Sequence, residues 1–159
     1  MDFVVNWLAN VPGFAVPFAL AALGLIICEK SGVLNLGAEG YMLVGAMAGA
    51  GAMLSLGAHP LVALLIAALA AAVLSLLFAL LVIALRVNQV ISGLVIVFFA
   101  QGLTALISTN QGWTNRAFAG LGDVNLGPLS RIPVLGKILF QQDLIVYLTI
   151  VIFAVVVHV

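Results

Sequence analysis

The sequence predicts an all-α protein: a polytopic transmembrane helical bundle of about five membrane segments, one of them interrupted or re-entrant. Three observations carry this. Of 159 residues, 65% are apolar and only 6% charged. With glycine counted as apolar and tyrosine as polar, the apolar share is about three quarters, against ~45–50% in soluble domains. The apolar residues fall in uncharged runs that reach or approach the length of a bilayer crossing. No strand-like alternation passes through those runs, which leaves helices.

The same composition excludes several classes. Five Lys and Arg against five Asp and Glu cannot coat a water-soluble monomer, and they leave no basic face for nucleic acid. The single cysteine, Cys28, excludes a disulfide framework and a multi-cysteine metal site.

The elements follow in order. The first residues, up to 11, are short and mixed, with Trp7 where an interfacial anchor would stand. They do not form a cleavable signal peptide, because Asp2 replaces a basic start and no small-residue cleavage site follows. Residues 12–28 are uncharged and stop at Glu29-Lys30. Residues 41–56 form a second run, rich in Gly and Ala. The third, 61–84, is closed by Arg86 and would reach ~36 Å at ~1.5 Å per residue, enough to cross with some tilt. Residues 90–107 make a fourth crossing, and 144–157 start a fifth.

Residues 110–142 break the pattern. Arg116, Asp123, Arg131 and Lys137 stand among Gly112, Gly120, Gly122, Gly127, Pro128, Pro133 and Gly136. That density of turn residues predicts an aqueous loop, with a short helix near 136–142. A connection this long is either functional or a passive linker. By charge count alone the loop would lie on the inner, cytoplasmic side, though three cations spread over it are a weak orientation signal. The last residues, 151–159, are still apolar with His158 as their one polar group, which predicts a fragment of a longer protein.

The informative positions are the polar exceptions. The run Glu29-Lys30-Ser31-Gly32-Val33-Leu34-Asn35-Leu36-Gly37-Ala38-Glu39-Gly40 separates the first two crossings. If a helix resumed at Val33, Asn35 and Glu39 would share one face, at a cost unless they met protein or water. Gly32, Gly37 and Gly40 allow the helix to break, and breaks at membrane depth line cavities and transport sites. The alternative is an ordinary turn in which Asn and Glu cap the next helix. Both readings stand on spacing.

Gly45 and Gly49 form a GxxxG that favours close helix packing. The fourth crossing opens with Asn88-Gln89 and carries Ser92, Gly93, Gln101 and Thr104, with 89, 93 and 100–104 near one stripe. Gln101 at mid-helix needs a partner, either a neighbouring helix or a polar solute. His158 has no second ligand at metal spacing, and no Ser/His/Asp set, HExxH or Walker loop is present. The sequence therefore shows no enzyme, no metal site and no cofactor site.

These residues resemble a known family. The run 29–40, followed by Met42-Leu43-Val44-Gly45-Ala46, is similar to the signature of permease subunits of bacterial ATP-binding-cassette importers. This is the class of branched-chain amino acid, ribose and simple-sugar permeases, and the Asn-Glu-Gly version favours its nucleoside and simple-sugar branch. Arg86-Val87-Asn88-Gln89-Val90-Ile91-Ser92-Gly93-Leu94 agrees, as do Ile132-Pro133-Val134-Leu135-Gly136 and Leu139-Phe140-Gln141-Gln142.

The resemblance implies one permease domain over 1–159, multi-pass in the bacterial plasma (inner) membrane among its lipids, moving solute inward by alternating access. It implies a second homologous permease, a cytoplasmic ATPase subunit that binds the ATP, and an extracytoplasmic solute-binding protein or lipoprotein. It places loop 110–142 outside and Glu29-Lys30 and Arg86 inside, against the charge count. The pathway candidates are Asn35, Glu39, Asn88, Gln89, Ser92 and Gln101. The competing classes are a fragment of an ion-coupled secondary transporter, with Glu39 as coupling acid, and a small structural or pore-forming membrane protein.

Overall fold

The computed structural model describes residues 2–117, 120–125 and 141–158. They fall into two compact units, Leu25–Gly120 and Met1–Gly24 with Leu121–Val159. The helices are α1 (Asp2–Lys30), α2 (Ala38–Leu56), α3 (Pro60–Ala79), α4 (Gln89–Asn110) and α5 (Leu144–His158), with a π-helical turn, Leu80–Ala84, continuing α3. The all-α bundle of the sequence reading is what the chain forms. Among the described residues, three helices are long and apolar enough to cross a membrane: Val5–Lys30, Pro60–Ala84 and Gln89–Asn110. The expected second crossing is helical but glycine-rich and opens on Glu39, and the expected fifth forms a shorter apolar helix, Leu144–Val156.

In the unit 25–120, α2 lies against both α3 and α4. The core is Val44 from α2, Leu74 and Phe78 from α3, Val82 from the π turn, and Ile96 and Ala100 from α4. Each boundary has a local cause. Helix α2 ends because Gly57 takes φ 60°, which lets the Ala58 N–H return to the Ala52 carbonyl at 3.1 Å. His59 then caps α3, with Pro60 at a first-turn position where no N–H is required. The Asn88 side chain starts α4 by accepting from the amides of Val90 and Ile91 at 3.0 and 3.2 Å.

Helix α2 begins inside the bundle rather than at its end. A Cβ on Gly45 would meet the Ala67 carbonyl at 3.2 Å, and one on Gly40 would meet the Ile96 carbonyl at 3.1 Å. From those levels the π turn runs on past Ala38 by ~15 Å and α4 by ~8 Å, at ~1.5 Å per residue. The non-helical segment 33–37 fills the recess. Val33 packs on the core cluster, and Leu36 and Gly37 lie against Gly93.

In the other unit, α1 carries Pro12 and Pro17 within one continuous helix. Proline has no N–H to donate to the preceding turn, which for Pro12 concerns the Leu8 carbonyl. In that turn the Ala9 carbonyl accepts from Gln142 Nε2 at 2.8 Å. Gln142 belongs to a short strand, β2 (Gln141–Asp143), antiparallel to β1 (Asp123–Asn125) with Val124 opposite Gln142. The expected short helix near 136–142 is thus extended at 141 and 142; residues 136–140, with Arg131, Pro133 and Lys137, lie outside the described residues. The pairing draws backbone donors at 141 and 142 into a ladder, which a local turn count cannot anticipate.

Candidate functional site

Two regions of the unit 25–120 collect the polar residues singled out above. The first is the break before α2. Gln89, in the first turn of α4, accepts the Leu34 amide on Oε1 at 2.6 Å. Asn35 Oδ1 accepts the Gly37 amide at 2.9 Å and the Tyr41 hydroxyl at 3.1 Å. The side chain thereby closes a turn on its own backbone and ties it to the first turn of α2. The bare Gly93 on α4 makes the close approach possible, because a Cβ there would stand 3.0 Å from Leu36 Cβ and 3.1 Å from the Gly37 nitrogen.

Asn35, Gln89 and Ser92 therefore lie at one end of the unit, where 33–37 rests on α4. Ser92 is 2% exposed, and its hydroxyl has no hydrogen-bond partner among the described residues. Asn88 is spent on capping. Helix α2 starts at Ala38, not Val33, so Asn35 and Glu39 do not share a helical face as a resumed helix would require. Glu39 is exposed in the first turn of α2, where a carboxylate faces the positive end of the helix dipole.

The small residues of α2 face two neighbours. Gly45 and Gly49 lie on α3, with a Cβ on Gly49 3.2 Å from Ala67 Cβ. Gly51 seats the Trp113 indole, which would collide with a Cβ there, and the indole Nε1 donates to Ser55 Oγ at 3.0 Å. This strap folds the chain after α4 onto the far end of α2. Nothing local in the sequence pairs Trp113 with a glycine 62 positions earlier.

The second region is a groove of about 580 Å³ between α2 and α4. Leu43, Ala46, Met47 and Ala50 form its α2 wall. Its polar side is Gln101, Thr104, Ser108 and Thr109 of α4 with Thr114 beyond it. Positions 101, 104, 105 and 108 recur at helical spacing, a signal the sequence carries for Thr104 and Ser108 as well as Gln101. The expected stripe divides here. Gln89 and Gly93 meet the break and Ala100 is fully buried in the core, whereas Gln101, one residue further round the helix, opens on the groove ~18 Å along α4 from Gln89.

Among the described residues, no group of three or more His, Cys, Asp and Glu is placed to hold a metal ion. A family model described as branched-chain amino acid transport system / permease component matches residues 7–159. The chain is 35% identical to a guanosine ABC transporter permease protein of Bacillus subtilis, covering 89% of this chain and 48% of that protein. It is 33% identical to a nucleoside ABC transporter permease protein of Lactococcus lactis, covering 87% and 47%. A Haloferax volcanii protein, provisionally named as a glucose ABC transporter permease protein, is 32% identical with 93% and 45% covered. The chain thus spans about half the length of the curated relatives it matches. No solved structure gives a significant match.

Proposed function

The chain belongs to the family of branched-chain amino acid transport system permease components, and from that membership we propose that it is a transmembrane permease subunit of an ATP-binding-cassette importer, carrying nucleosides or simple sugars inward by alternating access. The observation that carries the proposal is the family match along 7–159, which takes in the crossings and the break between α1 and α2. The names of the relatives supply the cargo class.

On this reading the chain catalyses nothing itself. ATP is hydrolysed by a cytoplasmic ATPase subunit, a second related permease completes the pathway, and an extracytoplasmic solute-binding protein or lipoprotein delivers cargo. The membrane is the bacterial inner membrane, with loop 110–142 outside and the Glu29-Lys30 and Arg86 ends inside. The geometry supports a wall for such a path: an interrupted crossing seated on α4, and a polar-lined groove beside it.

The test is uptake of labelled guanosine and glucose by the complete transporter in membrane vesicles. ATP depletion is expected to abolish uptake while a proton uncoupler leaves it intact. Uptake that survives ATP depletion and collapses with the uncoupler would instead identify an ion-coupled carrier.

A further inference from the structure

We infer that the groove between α2 and α4 is where this chain contacts its cargo, with Gln101 as the specificity-determining residue for a neutral, hydroxyl-bearing ring solute. The inference rests on the permease reading and deepens it by naming the site and the chemistry it reads.

Three observations lead there. Gln101 lies mid-way along a helix otherwise built for apolar surroundings, and its side-chain amide has no hydrogen-bond partner among the described residues. An amide facing lipid without a partner is costly, so this face meets water, a further helix or a polar ligand, and the labelling and protection of position 46 below separate these. Thr104 Oγ1 spends its proton on the Ala100 carbonyl at 2.8 Å, which leaves its lone pairs free to accept from a solute hydroxyl. Gln101 offers two donors and an acceptor beside it, with Ser108 one turn further along.

The groove is also selective by what it lacks. Among the described residues, no charged side chain lines it. A zwitterionic amino acid placed there would leave both a carboxylate and an ammonium unpaired, a penalty a neutral solute avoids. The opposite wall is apolar at Ala46 and Met47, which suits the apolar face of a sugar or base ring while its polar edge meets α4. At the break, by contrast, the amide oxygens of Asn35 and Gln89 already accept from neighbouring groups of the chain, and Ser92 is buried.

The experiment uses the assembled transporter in proteoliposomes, with labelled guanosine as cargo and unlabelled glucose and leucine as competitors. Gln101→Leu is expected to raise KM for guanosine by about tenfold, the loss of one or two neutral hydrogen bonds, at unchanged complex yield; Gln101→Asn recovers part of it. In a Cys28→Ser background, Ala46→Cys is expected to react with a water-soluble maleimide in permeabilised membranes, and guanosine to slow that reaction. If the wild type shows no ATP-driven uptake of guanosine or glucose, the permease reading fails and the inference falls with it. If the wild type transports but Gln101→Leu keeps its KM, or Ala46→Cys stays unlabelled, this groove is not the contact site and the permease reading survives. Should Gln101→Leu fail to assemble, the labelling of Ala46→Cys and its protection decide alone.

Discussion

Asn35 and Ser92 are both polar residues near the break, yet their environments predict opposite responses to truncation. Asn35 Oδ1 holds an amide and a hydroxyl at once. Asn35→Ala is expected to cost about 1–2 kcal/mol, because two donors lose their acceptor inside the packed segment. The measurement is a melting curve in detergent, and an unchanged midpoint would contradict the tie. Ser92 has a buried hydroxyl with no partner to lose. Ser92→Ala is therefore expected to be neutral within about 0.5 kcal/mol or slightly stabilising, since a desolvated group disappears. A clear drop in the same assay would mean that the hydroxyl is satisfied by a bonded group, such as an ordered water.

Helix α2 decides how the other elements approach one another. Its glycines replace side chains where α3, α4 and the Trp113 strap come closest. Gly45→Leu is expected to reduce folded yield sharply, because the added side chain meets the Ala67 backbone and Ala71 Cβ rather than a flexible tip. Gly51→Val is expected to expel the indole while leaving α2 helical. In a Trp7→Phe background, Trp113 emission should shift as the indole leaves its seat, and an unaltered spectrum would refute the strap. The helices were legible in the sequence because uncharged runs act locally and Asn88 opens the fourth, but α1 begins at Asp2 rather than at 12 and α2 at Ala38 rather than at 41. The depth of α2 was not legible, since it depends on Gly40 meeting Ile96 and Gly93 meeting Leu36 across 56 and 57 positions. The division of α4 into an inward side and a groove side was equally hidden. Gln101 and Ala100 are neighbours in sequence, and only the position of α2 separates their faces. The strand at 141–143 escaped for a similar reason, its partner lying beyond any local pattern.

At the scale of the molecule, apolar side chains such as Leu65, Leu69 and Val73 on α3, and Val95 and Phe98 on α4, face outward and suit hydrocarbon rather than water. Membership of a permease family and three crossing-length helices agree on an integral membrane protein. On the proposed reading, the conformational work of import would fall on the seam where 33–37 rests on α4. Among the described residues the bond from Leu34 to Gln89, the close approach at Gly93 and the packing of Val33 on the core hold that seam. Gln89→Leu in the complete transporter is expected to lower ATP-driven uptake severalfold with membrane insertion intact, and wild-type uptake would detach this seam from transport.

The seated break itself can be tested without any cargo. Leu36 Cβ lies 3.0 Å from where a Cβ on Gly93 would stand, close to the ~3.5–4.5 Å of a disulfide and reachable with a slight shift. In a Cys28→Ser background, the pair Leu36→Cys with Gly93→Cys should cross-link under mild oxidation, leaving no thiol for a mass-tagged maleimide until reductant is added. Leu36→Cys with Leu106→Cys, far along α4, should keep both thiols. Two reactive thiols in the first pair after oxidation would contradict the recessed start of α2.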